Sequence, residues 1–145
     1  MIDIADKIIR HAFASKTDKA GEPYSEHCFR VADAVEKERP YNESLKCIAL
    51  MHDLLEDCKE WTKPALLSLF DEYVVEVIDI LTLKPGQKYE DYIDLVSKDD
   101  YARIVKICDL RDNMDITRLN ELTDKDLERL RKYHKAYHKL CKTKP

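Results

Sequence analysis

Ile4, Ile8 and Ala12 recur every fourth residue, with Ala5, Ile9 and Phe13 one position further on, so residues 2–15 predict an amphipathic helix. It runs into Lys16-Thr17-Asp18-Lys19-Ala20-Gly21-Glu22-Pro23, a polar loop holding both helix breakers. A second helix is expected from Tyr24 or Ser25, with Pro23 just ahead of it and Glu26 in its first turn, to Glu38 before Pro40. A third opens at Asn42 as the cap, with Ser44 as the other candidate. Leu45, Ile48, Ala49, Met51, Leu54 and Leu55 carry it to Asp57 or Cys58.

Thr62 and Pro64 start a further helical turn that continues through Leu66, Leu67, Leu69 and Phe70. After Asp71 the series Val74, Val75, Val77, Ile78, Ile80 and Leu81 is rich in β-branched residues, but its length and its helical flanks assign it to a helix. Lys84-Pro85-Gly86-Gln87 is the clearest internal turn, and Tyr89, Tyr92, Ile93 and Val96 form a short helical stripe behind it. A helix over 101–118 would turn Ile104, Val105, Cys108 and Leu110 inward. The last begins at Thr123, where Thr123 and Asp126 resemble a capping box, and reaches Leu140. The expectation is an all-α bundle of about seven to eight helices. Only 2 glycines and 5 prolines occur, too few to punctuate a turn-rich β architecture. With 145 residues, 44% of them hydrophobic, residues 1–145 are expected to form a single domain around one core.

Charge narrows the classes of partner. A formal net charge of -4 argues against a general nucleic-acid binder, which needs a basic face, but leaves room for a small anion in a local basic pocket. Cys28, Cys47, Cys58, Cys108 and Cys141 are odd in number and form no C-x-x-C pair, so they read as idle thiols of a reducing compartment. The N-terminus carries Asp3 and Asp6 where a signal peptide would be basic, and no stretch approaches a membrane span; the expected location is cytoplasmic. The lysines between Lys139 and Lys144 read as a solubilising end, and His11, His134 and His138 as solvated side chains, although His134 and His138 stand four apart.

Two polar clusters interrupt apolar runs. His52-Asp53-Leu54-Leu55-Glu56-Asp57 follows Ile48-Ala49-Leu50-Met51, and within one helix His52 would stack on Glu56 and Asp53 on Asp57. An ionisable pair next to a core is costly unless it has partners. In Lys106-Ile107-Cys108-Asp109-Leu110-Arg111-Asp112-Asn113, Asp109 and Asn113 share a face, with Asp112 beside them and Lys106 one turn earlier.

With these clusters, the chain resembles the HD-domain (p)ppGpp hydrolases of the RelA/SpoT homologues and the stand-alone small alarmone hydrolases. Gly21-Glu22-Pro23-Tyr24-Ser25-Glu26-His27 is similar to G-x-P-Y-x-x-H. Ala49-Leu50-Met51-His52-Asp53-Leu54-Leu55-Glu56-Asp57 is similar to A-L-L-H-D-x-x-E-D, and Val105-Lys106-Ile107-Cys108-Asp109 with Asn113 to V-K-L-A-D-x-x-x-N. The resemblance implies that His27, His52, Asp53 and Asp109 bind a metal, with Glu56 and Asp57 orienting or deprotonating the attacking water. Two imidazoles and two carboxylates suit manganese(II) or a similar divalent ion.

The resemblance further implies that Lys16, Thr17, Lys106, Asn113 and Tyr133 contact a small-molecule nucleotide, and Arg111 is a further candidate cation. Cys28 and Phe29 stand where the family usually has Pro and an aliphatic residue, and Thr17 where a second cation would be usual. The implied reaction is hydrolysis of the 3′-pyrophosphate of (p)ppGpp to GDP or GTP and pyrophosphate. The alternatives are the same chemistry on a nucleoside monophosphate, a cyclic nucleotide or NADPH, and a noncatalytic nucleotide-binding module.

Overall fold

Side-chain caps mark where four of the helices begin. In the computed structural model, which describes residues 1–142, the helices are α1 (Ile2–Ala12), α2 (Tyr24–Glu38), α3 (Glu43–Met51), α4 (Leu54–Asp57), α5 (Lys63–Leu67), α6 (Glu72–Ile80), α7 (Tyr89–Ser97), α8 (Asp100–Asn113) and α9 (Asp124–Lys142), with a 3-10 turn at Ile116–Arg118. The Asn42 side chain accepts from Leu45 N at 3.0 Å, Thr62 Oγ1 from Ala65 N at 3.3 Å, and Asp99 from Ala102 N at 2.8 Å. Each satisfies an amide that the first helical turn leaves without a partner. The Thr123–Asp126 capping box forms in both directions, Thr123 N donating to Asp126 Oδ2 at 2.9 Å and Asp126 N to Thr123 Oγ1 at 3.2 Å.

The fold is all-α, and no strand occurs among the described residues. The β-branched series is helical in α6 because Val74, Val75, Val77 and Ile78 are buried there, and that burial outweighs a weak propensity cost. Four boundaries differ from expectation: α1 ends at Ala12 and α5 at Leu67, each about one turn early, and two others differ by more. The third helix stops at Met51, and α4 is a separate turn. His52 Nδ1 donates to the Ala49 carbonyl at 2.7 Å, occupying the acceptor that the Asp53 amide would use if the helix continued. The helix expected to reach Arg118 ends at Asn113, and the Asp115 carboxylate then accepts from Thr117 N to start the 3-10 turn.

At the centre lies α3, which touches α1, α2, α6 and α8. Leu45, Cys47, Ile48, Ala49, Leu50 and Met51 are all buried, so this helix is apolar nearly all round. Ile48 is fully buried, and Ile48→Ala is expected to destabilise the fold by about 2–5 kcal/mol, measurable by denaturant titration. Cys28, Cys47 and Cys108 are buried free thiols. Lys139 pairs with Asp94, whereas Lys144 lies outside the described residues. Among the described residues no helix is long and apolar enough to cross a membrane.

Candidate metal centre

The ends of this central packing bring distant residues together. His27 lies in the first turn of α2, His52 and Asp53 form the corner between α3 and α4, and Asp109 lies on α8. One ligand atom from each of the four falls within 4.8 Å of every other. Asp109 Oδ1 is 3.0 Å from His27 Nε2 and 3.2 Å from His52 Nε2; Asp53 Oδ2 is 3.1 Å from His52 Nε2 and 3.7 Å from His27 Nε2. Ligands bonded at about 2.0–2.2 Å to one ion stand about 3.0–3.5 Å apart, so the donor set fits a divalent cation in both chemistry and spacing. These residues can hold one.

Burial opposes charge on both imidazoles, yet the carboxylates more than offset it. Hydrogen bonds donated to the Asp109 and Asp112 carboxylates hold His27 up at about 9, and Asp53 and Asp109 raise His52 well above its ordinary value. Burial also opposes charge on Asp109, but Lys106 and the histidines hold its carboxyl well below the usual range. Lys106 Nζ donates to Asp109 Oδ2 at 2.8 Å, and Asn113 Nδ2 donates to Oδ1 at 3.0 Å. Four polar groups thus converge on one buried carboxylate, an arrangement that holds its oxygens in a fixed direction.

The centre opens into a cleft of about 490 Å³. Lys16, Thr17, Glu56, Asp57, Lys106, Asn113 and Tyr133 all line it. Glu56 accepts from Leu83 N at 2.8 Å; its carboxyl is pushed up by burial and by nearby Asp53 and Asp57, with the Leu83 bond opposing. Lys16 Nζ is 3.1 Å from Asp57 Oδ2 and 4.2 Å from the centre of the Tyr24 ring. Arg111 is the exception. Its guanidinium donates to the Tyr137 hydroxyl at 3.1 Å and lies 3.5 Å from Glu38, on the far side of α8 from Asp109 and outside the cleft.

Arg30, Arg118 and Arg129 line the cleft instead. Arg30 lies one turn after His27 on the same face of α2, a spacing that could have marked it. No comparable signal marks Arg118, which follows the helix break. Tyr24, part of the quoted loop motif, donates its hydroxyl to Asp53 Oδ2 at 2.5 Å.

No family model matches the chain, and no curated protein matches it in sequence. Among solved structures, it aligns with one described as a metazoan ortholog of SpoT that hydrolyzes ppGpp and plays a role in starvation responses. The TM-score is 0.80, covering 97% of this chain and 85% of that one, at 18% sequence identity. This chain has the HD-domain fold. At that identity, what the two proteins share is the fold, and it extends over nearly all of this chain.

Proposed function

We propose that residues 1–145 act as one metal-dependent phosphohydrolase domain that removes the 3′-pyrophosphate of (p)ppGpp, giving GDP or GTP and pyrophosphate. The observation that carries this reading is the convergence of His27, His52, Asp53 and Asp109 at the floor of a cleft that Glu56 and Asp57 also line. Manganese(II) or a similar divalent ion held by those four supplies Lewis acidity toward a phosphoryl oxygen and lowers the pKa of water. Glu56 takes the proton from the attacking water. Its raised carboxyl brings the base closer to neutral operating pH, where proton transfer is most effective. Asp57, tied to Lys16, orients that water from the side.

Six Lys and Arg side chains and eight carboxylates line the cleft. Metal-ligating histidines are neutral, so in the loaded protein a divalent cation offsets the two excess carboxylates and leaves the cleft without the net negative charge that would repel a nucleotide with two diphosphates. In this reading Lys16 and Lys106 face phosphate oxygens, Thr17 and Asn113 hydrogen-bond the nucleotide, and Tyr133 offers its ring or hydroxyl.

The deciding experiment is incubation of manganese-loaded protein with ppGpp and identification of the products. GDP with pyrophosphate supports the assignment. Release of phosphate from 5′-monophosphates with no turnover of ppGpp would replace it with a nucleotidase. Lys16→Glu is expected to lower kcat/KM for ppGpp by on the order of 10-fold or more, because it removes a charge-assisted contact, while metal content measured by elemental analysis stays unchanged.

A further inference from the structure

The two histidines of the centre differ in what holds their outer nitrogen. His52 Nδ1 donates to a neutral backbone carbonyl, Ala49 O. His27 Nδ1 instead lies 2.6 Å from Asp112 Oδ2, a carboxylate whose side chain is only 12% exposed. That carboxylate is itself clamped. Arg30 donates from Nε to Oδ1 at 2.8 Å and from Nη2 to Oδ2 at 3.0 Å, a two-point fork that fixes the plane of the carboxyl group. Arg118 adds Nη2 contacts to the Asp112 carbonyl at 3.0 Å and to Oδ2 at 3.4 Å.

We propose that Asp112, clamped by Arg30 and Arg118, is the positioning residue for His27: it fixes the tautomer with hydrogen on Nδ1 and turns Nε2 toward Asp53 and Asp109 as a strengthened metal ligand. An ionised carboxylate can only accept, so the nitrogen facing Asp112 carries a hydrogen, while Nε2, which faces Asp53 and Asp109, would give its lone pair to an ion bound between them. A negative partner behind an imidazole raises its basicity as a ligand more than a neutral carbonyl does, which separates His27 from His52 within one site. Arg30 acts through Asp112. It belongs to α2, three residues after His27, so one helix carries both the histidine and the clamp of its partner.

This inference rests on the divalent-cation reading of the centre, and its test separates the two. Manganese(II) affinity of the full chain is measured by electron paramagnetic resonance titration, alongside metal-free melting curves. Asp112→Asn is expected to weaken affinity by about 10–100-fold, the range typical for outer partners of ligating histidines. Arg30→Gln is expected to weaken it less, since Arg118 still holds the carboxylate. The double variant should be no weaker than Asp112→Asn alone.

Affinity within twofold of the parent in Asp112→Asn, or additive losses in the double variant, would overturn the relay while leaving the metal centre standing. A parent that binds no manganese(II) removes both. Nitrogen-15 spectra of the zinc-loaded parent provide a readout that does not depend on how the variants fold: the expected pattern is a protonated Nδ1 and a metal-bound Nε2 on His27. The reverse pattern would overturn the proposal.

Discussion

Asp53→Ala is expected to abolish metal binding and turnover together. Asp53 Oδ2 stands 3.1 Å from His52 Nε2 and 3.7 Å from His27 Nε2, so the substitution removes one of only two oxygen donors from the convergent set. Replacing an outer partner of a ligand typically costs 10–100-fold in affinity, and removing a ligand itself should exceed about 100-fold. The change also strips the part-buried Tyr24 hydroxyl of its acceptor. Elemental analysis, circular dichroism and a ppGpp assay on one preparation separate these effects. Helix content should persist while metal and activity disappear. Parent-level manganese in Asp53→Ala would remove Asp53 from the ligand set.

Glu56→Gln should produce the opposite combination, full metal and little turnover. Glu56 is not among the convergent four; its carboxylate faces the cleft and accepts from Leu83 N at 2.8 Å. An amide oxygen can still accept that bond, so the local structure is expected to stay. What the amide cannot do is take a proton, and general-base catalysis typically contributes about 100- to 10,000-fold. A kcat lowered by that factor with parent-level metal content assigns Glu56 to proton transfer. Unchanged kcat would remove it from the mechanism and leave Asp57 as the remaining carboxylate candidate.

Much of the architecture was legible along the chain. Spacing of three and four residues between apolar side chains, caps at Asn42, Thr62 and Thr123, and the Pro-Gly turn at 85–86 mark elements that α1 through α9 realise. These signals are local: a cap or an amphipathic stripe acts over one or two helical turns, so its cause and its effect lie within the same few residues. The side chains that meet at the centre were visible through the resemblance, whose three motifs implied His27, His52, Asp53 and Asp109 as one ligand set.

The rest depended on contacts between helices far apart in sequence. Periodicity carries one helix from Asn42 to Asp57, but the His52 imidazole takes the Ala49 carbonyl and turns the corner that aims His52 and Asp53 at one point. Arg111 and Asp112 are neighbours in sequence with equal claims to the cleft. The helical turn between them sends Arg111 to Tyr137 and Glu38 and Asp112 to His27, a partner 85 positions away. Helical periodicity establishes which face a charged side chain occupies, whereas its partner is set by whichever element packs on that face. For this chain, helix type was written in local spacing and the candidate ligands in motifs that resemble a family's, while the corner at His52 and the carboxylate clamped behind His27 arose only when α2, α3 and α8 came together.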